Sequence, residues 1–167
     1  ISSYQPEETA KAVKILRELG TPCLIHQPKY SMFERWIEDG LLDTLKKEGV
    51  GCICFSPLAQ GMLTDKYLKG IPEGSRAGSH RGNGAIEESA LTTARMEQAR
   101  KLNEIAKQRG QSLAQMALAW VLRDPAITSV LIGVSKTAQL LDSIKCLENY
   151  SFSEEELKGI DGILNES

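Results

Sequence analysis

Three short apolar runs constrain this chain more than any other feature. They are Cys-Leu-Ile-His at 23–26, Val-Gly-Cys-Ile-Cys-Phe at 50–55 and Ile-Thr-Ser-Val-Leu-Ile at 127–132. Each is bounded by turn residues and separated from the next by residues at helical spacing. Strands buried on both faces read as continuous apolar runs, which is the pattern of a parallel sheet covered by helices. Pro6 with Glu7 and Glu8 marks a helix start. Ala10, Val13, Leu16 and Leu19 follow at helical spacing, and Gly20 ends the segment. A second helix is expected over 41–47, closed by Gly49, and a third over 92–109 with Met96, Ala99, Leu102 and Ile105 on one face. Ser112 with Gln115 forms a capping box that opens a helix over 113–123, stopped by Asp124-Pro125. Within it Met116, Leu118, Ala119 and Trp120 read as core. Helices over 137–147 and 154–164 complete the order, the last opened by Ser153 and Glu156. Residues 68–90 carry five glycines and little apolar periodicity, which reads as a long functional loop.

The expected fold class is therefore α/β. Residues 1–4 read as the end of an earlier strand. Three strands and such a stub cannot close a barrel, and they leave unpaired edges on a buried type of sheet. The 167 residues suffice for one domain with a real core and are too few to expect two. The opening "ISSYQPEE", without an initiator methionine, reads as a segment of a longer chain. The expectation is one partial domain over 1–167, a small three-layer sandwich being the alternative.

Composition narrows the function. A net charge of −2 leaves no basic surplus to hold a phosphate backbone, so no nucleic-acid partner is expected. No apolar run approaches the roughly 20 residues of a membrane span, and no membrane partner is expected either. Cys23, Cys52, Cys54 and Cys146 form no Cys-x-x-Cys pair, and only His26 and His80 could join them at a metal. No metal site is expected. Cys52 and Cys54 alternate on one face of an apolar strand and read as small buried hydrophobes. Free thiols point to a reducing, cytoplasmic setting.

In parallel α/β folds, ligands meet the residues just beyond the carboxyl ends of the strands. Three such ends are visible: His26-Gln27-Pro28, Phe55-Ser56-Pro57-Leu58 and Gly133-Val134-Ser135-Lys136. Gln27 offers a donor and an acceptor, matching a carboxamide. Phe55 offers a flat face for a planar ring. Ser135 sits where the last strand turns into a helix, with the charge of Lys136 beside it, and helix amino ends collect phosphate. Lys66 and Arg76 are loop cations able to reach a pyrophosphate. Carboxamide, ring, pyrophosphate and a further phosphate together describe a nicotinamide dinucleotide. There is no G-x-G-x-x-G, so a Rossmann site is unsupported. The bland readings stay open: Gln27 as a strand cap, Phe55 as core, Ser135 as an N-cap, and Lys66, Lys69, Arg76 and Arg81 as a solvated loop.

The stretches "FSPLAQGMLTDKY", "SRA" at 75–77 and "AQMALAWVLRDPAITSVLIGVSKTAQL" resemble the C-terminal half of an aldo-keto reductase. That resemblance implies the C-terminal portion of a (β/α)8 TIM-type barrel, parallel strands alternating with helices, and NADPH as cofactor. It places Gln27 and Ser2 at the carboxamide and Phe55 against the nicotinamide ring. Ser56, Pro57, Leu58, Gln60 and Gly61 would shape the pyrophosphate bed, with Lys66 and Arg76 closing over it. Gly133, Ser135, Lys136 and Gln139 fall at the adenosine-phosphate positions and Asp142 beside the adenine. Ser3 stands where much of the family has Asn, Lys136 where Arg is usual and Ser143 where Asn often meets adenine.

The implied activity is NADPH-dependent reduction of small aldehydes or ketones, glyceraldehyde 3-phosphate or methylglyoxal-like compounds among them. The family's catalytic Tyr, Lys, Asp and His lie in its first half. Tyr4, Tyr30, Tyr67 and His26 follow other motifs, so no catalytic residue is assigned here. The implied partners are a carbonyl substrate and the N-terminal half of the same barrel, with a homo-oligomer as a further expectation. The alternative is an NADPH-binding regulatory or scaffold module resembling potassium-channel beta-subunits. A charged hydrogen bond contributes about 1.5–3 kcal/mol. One Lys–phosphate contact could thus give roughly ten- to hundredfold preference for NADPH, and Lys136→Ala should weaken NADPH more than NADH. Equal losses for the two cofactors in a binding titration would reject the assignment.

Overall fold

The computed structural model describes residues 1–65, 68 and 92–166. Among these the chain forms three strands, β1 (Ile25–His26), β2 (Gly51–Cys54) and β3 (Ile127–Val130), paired in parallel in the order β1-β2-β3. Six α-helices accompany them: α1 (Pro6–Glu18), α2 (Leu41–Glu48), α3 (Thr93–Gln108), α4 (Leu113–Leu122), α5 (Thr137–Ile144) and α6 (Glu154–Leu164). The fold class is α/β, as the alternation of runs and helices implied.

The strands are shorter than the apolar runs that announce them. Beyond each, pairing continues only as single contacts: Ser2 bridges Gln27, Lys29 bridges Phe55, and the Leu131 N–H donates to the Cys54 carbonyl at 2.8 Å. Residues 1–3 thus lie along β1 as the expected strand end. Pairing of β2 with β3 slips by one residue after Cys52, leaving Thr128 as an extra residue on β3. Its hydroxyl accepts the Cys52 N–H at 3.1 Å, so the slip strands no buried donor there.

Alternation along β2 divides its two faces. Cys52 and Cys54 are fully buried in one core cluster with Leu41 and Leu45 of α2, Leu102 of α3 and Met116, Trp120 and Val121 of α4. Gly51, Ile53 and Phe55 lie on the opposite face and are only partly covered. A Cβ on Gly51 would lie 2.9 Å from Ile25 Cδ1 and 3.1 Å from Thr128 Oγ1, so glycine is what lets the three strands close here.

Helix α4 is apolar on nearly every side, and a helix of that kind must be enclosed. Leu113 and Met116 through Val121 are all buried. Its Ser112–Gln115 capping box forms as expected, and so does the Ser153–Glu156 box opening α6. Helix α5 ends at Ile144, earlier than expected, and tightens into a 3-10 turn at Lys145–Asn149 that buries Cys146 against Leu118 and Ala119. A second 3-10 turn, Trp36–Glu38, carries no periodicity to announce it. Around it Tyr30 donates to Glu38 Oε1 at 2.6 Å, and Arg35 reaches both Glu38 Oε2 at 2.7 Å and Asp161 Oδ1 at 2.6 Å. Arg35 and Arg123 stand 5.2 and 3.6 Å over the Trp120 ring. Burial pushes the Tyr30 phenol up, which keeps it a donor. Leu19, at helical spacing with the apolar residues of α1, falls just beyond the helix as its C-cap and is 72% exposed. Gly51→Val should destabilise the protein by about 1–3 kcal/mol through overpacking; an unchanged urea midpoint would contradict the close approach of the strands.

Candidate functional site

The tip of β2 is where the backbone departs furthest from ordinary geometry. Ser56 has φ +54°, and Ala59 and Gln60 in the short 3-10 turn Ala59–Gly61 have +47° and +58°, with Gly61 at +101°. Left-handed backbone costs a residue other than glycine roughly 1–3 kcal/mol and persists only where surroundings over-determine it. Here Pro57, Met62 and Leu63 are buried, Leu58 packs against the core, and the Ala59 and Gly61 N–H groups donate to the Ser56 and Leu58 carbonyls at 2.9 and 2.8 Å. The turn is anchored from below and its upper rim is held open.

That rim is one wall of a cavity of about 650 Å³. Ser56, Pro57, Leu58, Gln60 and Gly61 line it, together with Thr64 and Asp65. The opposite wall is Leu131 through Ser135, then Gln139, Asp142 and Ser143 of α5, while Ser112 and Ala114 of α4 complete the enclosure. Of the residues expected at a cofactor, Ser56, Pro57, Leu58, Gln60, Gly61, Gly133, Ser135, Gln139 and Asp142 thus meet around one space.

The remaining expected residues fall elsewhere. Ser2, Gln27 and Phe55 do not line this cavity; they sit at the neighbouring strand tips. The Ser2 hydroxyl donates to the Gln27 carbonyl at 2.7 Å, and Phe55 exchanges backbone hydrogen bonds with Pro28 and Tyr30. Phe55 directly precedes Ser56, so this second group adjoins the cavity. Lys136 is exposed and outside its lining. Lys66, Arg76 and nearly all of the expected loop over 68–90 lie outside the described residues.

At the start of α5 the N-cap position belongs to Lys136 and not to Ser135, which corrects the N-cap reading. The cause is Gln139, whose Oε1 accepts from the Ser135 N–H at 2.9 Å, the Ser135 hydroxyl at 3.2 Å and the Lys136 N–H at 3.2 Å. Three donors converge on one oxygen, an arrangement equally suited to an anionic oxygen.

Thr64, Asp65, Ser112 and Ala114 were not anticipated as lining residues. The Ser112–Gln115 pattern was visible as a helix start, but only the packing of α4 beside α5 brings it to the cavity. His26 is buried, with Nε2 3.2 Å from the Tyr4 carbonyl oxygen and Nδ1 without a partner. Burial holds its pKa below the ordinary 6.5. Among the described residues no group of three or more His, Cys, Asp or Glu is placed to hold a metal, and no helix is long and apolar enough to cross a membrane.

Strained turn, cavity and parallel strand tips accompany a sequence that matches the Aldo/keto reductase family over residues 1–165, and the chain belongs to that family. It is 53% identical over 165 residues to the L-glyceraldehyde 3-phosphate reductase of Escherichia coli (strain K12), an alignment covering 96% of this chain and 47% of that protein. A putative voltage-gated potassium channel subunit beta of Schizosaccharomyces pombe is 37% identical over 143 residues, covering 83% of this chain and 41% of the relative. A probable subunit of the same kind from Oryza sativa subsp. japonica is 35% identical over 127 residues, covering 75% and 38%. The chain spans about half the length of the curated relatives it matches.

Because the folded His26 titrates below 6.5 and an unfolded one near it, the unfolded chain binds the extra proton first as pH falls. The contribution of His26 to stability is therefore whole above pH 6.5 and lost as pH drops toward the folded value. Urea midpoints at pH 8 and pH 5 should differ more for the wild type than for His26→Gln. Equal differences would contradict a neutral, buried imidazole.

Proposed function

We propose that this chain forms the cofactor-binding side of an NADPH-dependent aldo-keto reductase and is one partial domain over 1–167, the C-terminal portion of a (β/α)8 barrel. One observation carries the reading: the cavity between the strained turn after β2 and the start of α5. Its volume falls within the range of small-molecule sites, and its lining mixes apolar and polar groups.

In this reading the turn from Ser56 to Gly61 beds the pyrophosphate. Ser135, Lys136 and Gln139 take the adenosine phosphate, the donors that now converge on the Gln139 oxygen turning to a phosphate oxygen. Asp142 faces the adenine. Ser2 and Gln27 hold the carboxamide, and Phe55 lies against the ring. Lys66 and Arg76 close over the pyrophosphate. NADPH, when bound, supplies hydride to a carbonyl carbon. This chain orients the cofactor at the carboxyl edge of the sheet. The resemblance assigns the proton donor to the other half of the barrel. Among the described residues Tyr30 is sequestered against Trp120 and His26 is buried, so neither is open to a carbonyl substrate. General-acid catalysis needs its donor within hydrogen-bond reach of the carbonyl oxygen.

Exposed apolar groups support a need for more protein. Leu141, Ile144 and Leu147 lie open on and just after α5, and Ile15, Leu19 and Leu24 on and after α1. The remaining strands of the barrel would cover them, with a second copy of the protein as a further candidate. The substrates are small aldehydes or ketones, glyceraldehyde 3-phosphate or methylglyoxal-like, in a cytoplasmic setting.

A second reading, an NADPH-holding regulatory or scaffold module, is favoured by the likeness to the two relatives named as channel subunits. Turnover separates the two. The intact protein should oxidise NADPH steadily when given methylglyoxal or glyceraldehyde. Tight NADPH binding without such turnover would favour the module, and no binding at all would sink both.

A further inference from the structure

Asp142 is held by the start of another helix. The Gln115 side chain, 8% exposed, has both ends of its amide committed. Its Oε1 accepts the Ser112 N–H at 3.1 Å, closing the capping box of α4. Its Nε2 donates to Asp142 Oδ1 at 2.7 Å and to the Asp142 carbonyl at 3.3 Å. The orientation follows from chemistry, since a backbone N–H can only donate and a carboxylate only accept. Ser112 Oγ accepts the Gln115 N–H at 3.2 Å, and its own hydroxyl reaches Asp142 Oδ2 at 3.5 Å. Of the two carboxylate oxygens, Oδ1 is thereby pinned by Gln115 and Oδ2 receives only the long Ser112 contact. Each retains a lone pair, and Asp142 lines the cavity together with Ser112.

We propose that Gln115 is a positioning residue for ligand recognition: by fixing the Asp142 carboxylate it presents a rigid, acceptor-only group to the exocyclic amine of the cofactor's purine. The inference rests on the NADPH reading. It goes further in giving a buried residue, itself outside the cavity, control over which base is accepted. An acceptor-only group favours a purine bearing an amine and disfavours one bearing an oxo group at the same position, because two acceptors would then face each other unpaired. Without Gln115 the short Asp142 side chain can rotate, and it meets the two purines on more equal terms. Ser112 alone, at 3.5 Å, is too distant to fix it.

Gln115→Glu tests this cleanly. A glutamate can still accept the Ser112 N–H, and acids suit the first turn of a helix, so α4 keeps its cap. The group facing Asp142 changes from donor to acceptor and repels it. The probes are NADPH and its hypoxanthine analogue, in which the adenine amine is replaced by oxygen, titrated by fluorescence on the intact protein. The wild type should prefer NADPH by about ten- to hundredfold, the value of a charged hydrogen bond. Gln115→Glu should bring that ratio close to unity with helix content retained. The double variant Gln115→Glu/Asp142→Asn, in which the introduced amide donates to the introduced carboxylate and turns its oxygen to the cavity, should recover a substantial part of the preference. A wild-type preference that Gln115→Glu leaves intact would overturn the positioning role and leave the NADPH reading standing. Equal wild-type affinity for both probes would overturn the Asp142–amine contact. Failure of the wild type to bind either would overturn the cofactor reading and this inference together. If Gln115→Glu proves unfolded, the double variant decides: folded and discriminating supports the proposal, folded and indifferent overturns it.

Discussion

Parallel pairing of β2 with both of its neighbours is the constraint on which the other features rest. Because β1, β2 and β3 run the same way, their carboxyl ends fall on one edge. The chain must leave that edge three times, at Gln27, Phe55 and Leu131. Each exit is short of ladder partners, and each is where a side chain can meet a ligand without disturbing the sheet. The register also explains Gly51 and Thr128. One removes a side chain where three strands crowd together, and the other supplies the acceptor that the slip in pairing takes away from the Cys52 N–H.

Helix α4 ties that edge to the core. Its amino end, Ser112 and Gln115, lies beside the cavity and α5, while Trp120 near its other end is wholly enclosed. Burying a large apolar side chain contributes about 1.5–3 kcal/mol. Leu113, Met116, Leu118, Trp120 and Val121 therefore outweigh the ion pairs around Glu38, of a kind typically worth little when partly exposed to solvent. The charges there specify: they fix Tyr30, Arg35 and Arg123 around Trp120 so that the chain after β1 has one path. A core anchored in this way can sustain a turn with Ser56, Ala59 and Gln60 in left-handed geometry, whose combined cost is several kcal/mol.

Much of this was legible in the amino-acid order, for identifiable reasons. Capping boxes at Ser112 and Ser153, the proline start at Pro6 and the glycine stop at Gly49 are local signals, and each marks a helix end in the structure. Cys52 and Cys54 were readable as core because alternation alone assigns faces. Strand lengths were not, since an apolar run can continue past the last ladder residue, as at Phe55, which is only partly covered and pairs with Lys29 as a single bridge. The Trp36–Glu38 turn was hidden because three residues carry no periodicity. At the candidate site the strand tips themselves were visible, Phe55 to Leu58 and Gly133 to Lys136, and the family resemblance extended them to Gln60, Gly61, Gln139 and Asp142. Thr64, Asp65 and Ser112 were not, because nothing local places them across a gap from α5. The Gln139 side chain, which takes the cap away from Ser135, likewise depends on a rotamer that sequence does not reveal.

The claim at the centre of this account is that one extended dinucleotide lies along the carboxyl edge, from the tip of β1 to the start of α5. A crystal structure of the intact protein grown with NADPH tests it most directly. The adenosine phosphate should lie between the turn at 56–61 and the amino end of α5, and the nicotinamide beside Gln27 and Phe55. NADPH bound on another face, with that groove filled by protein side chains, would contradict it.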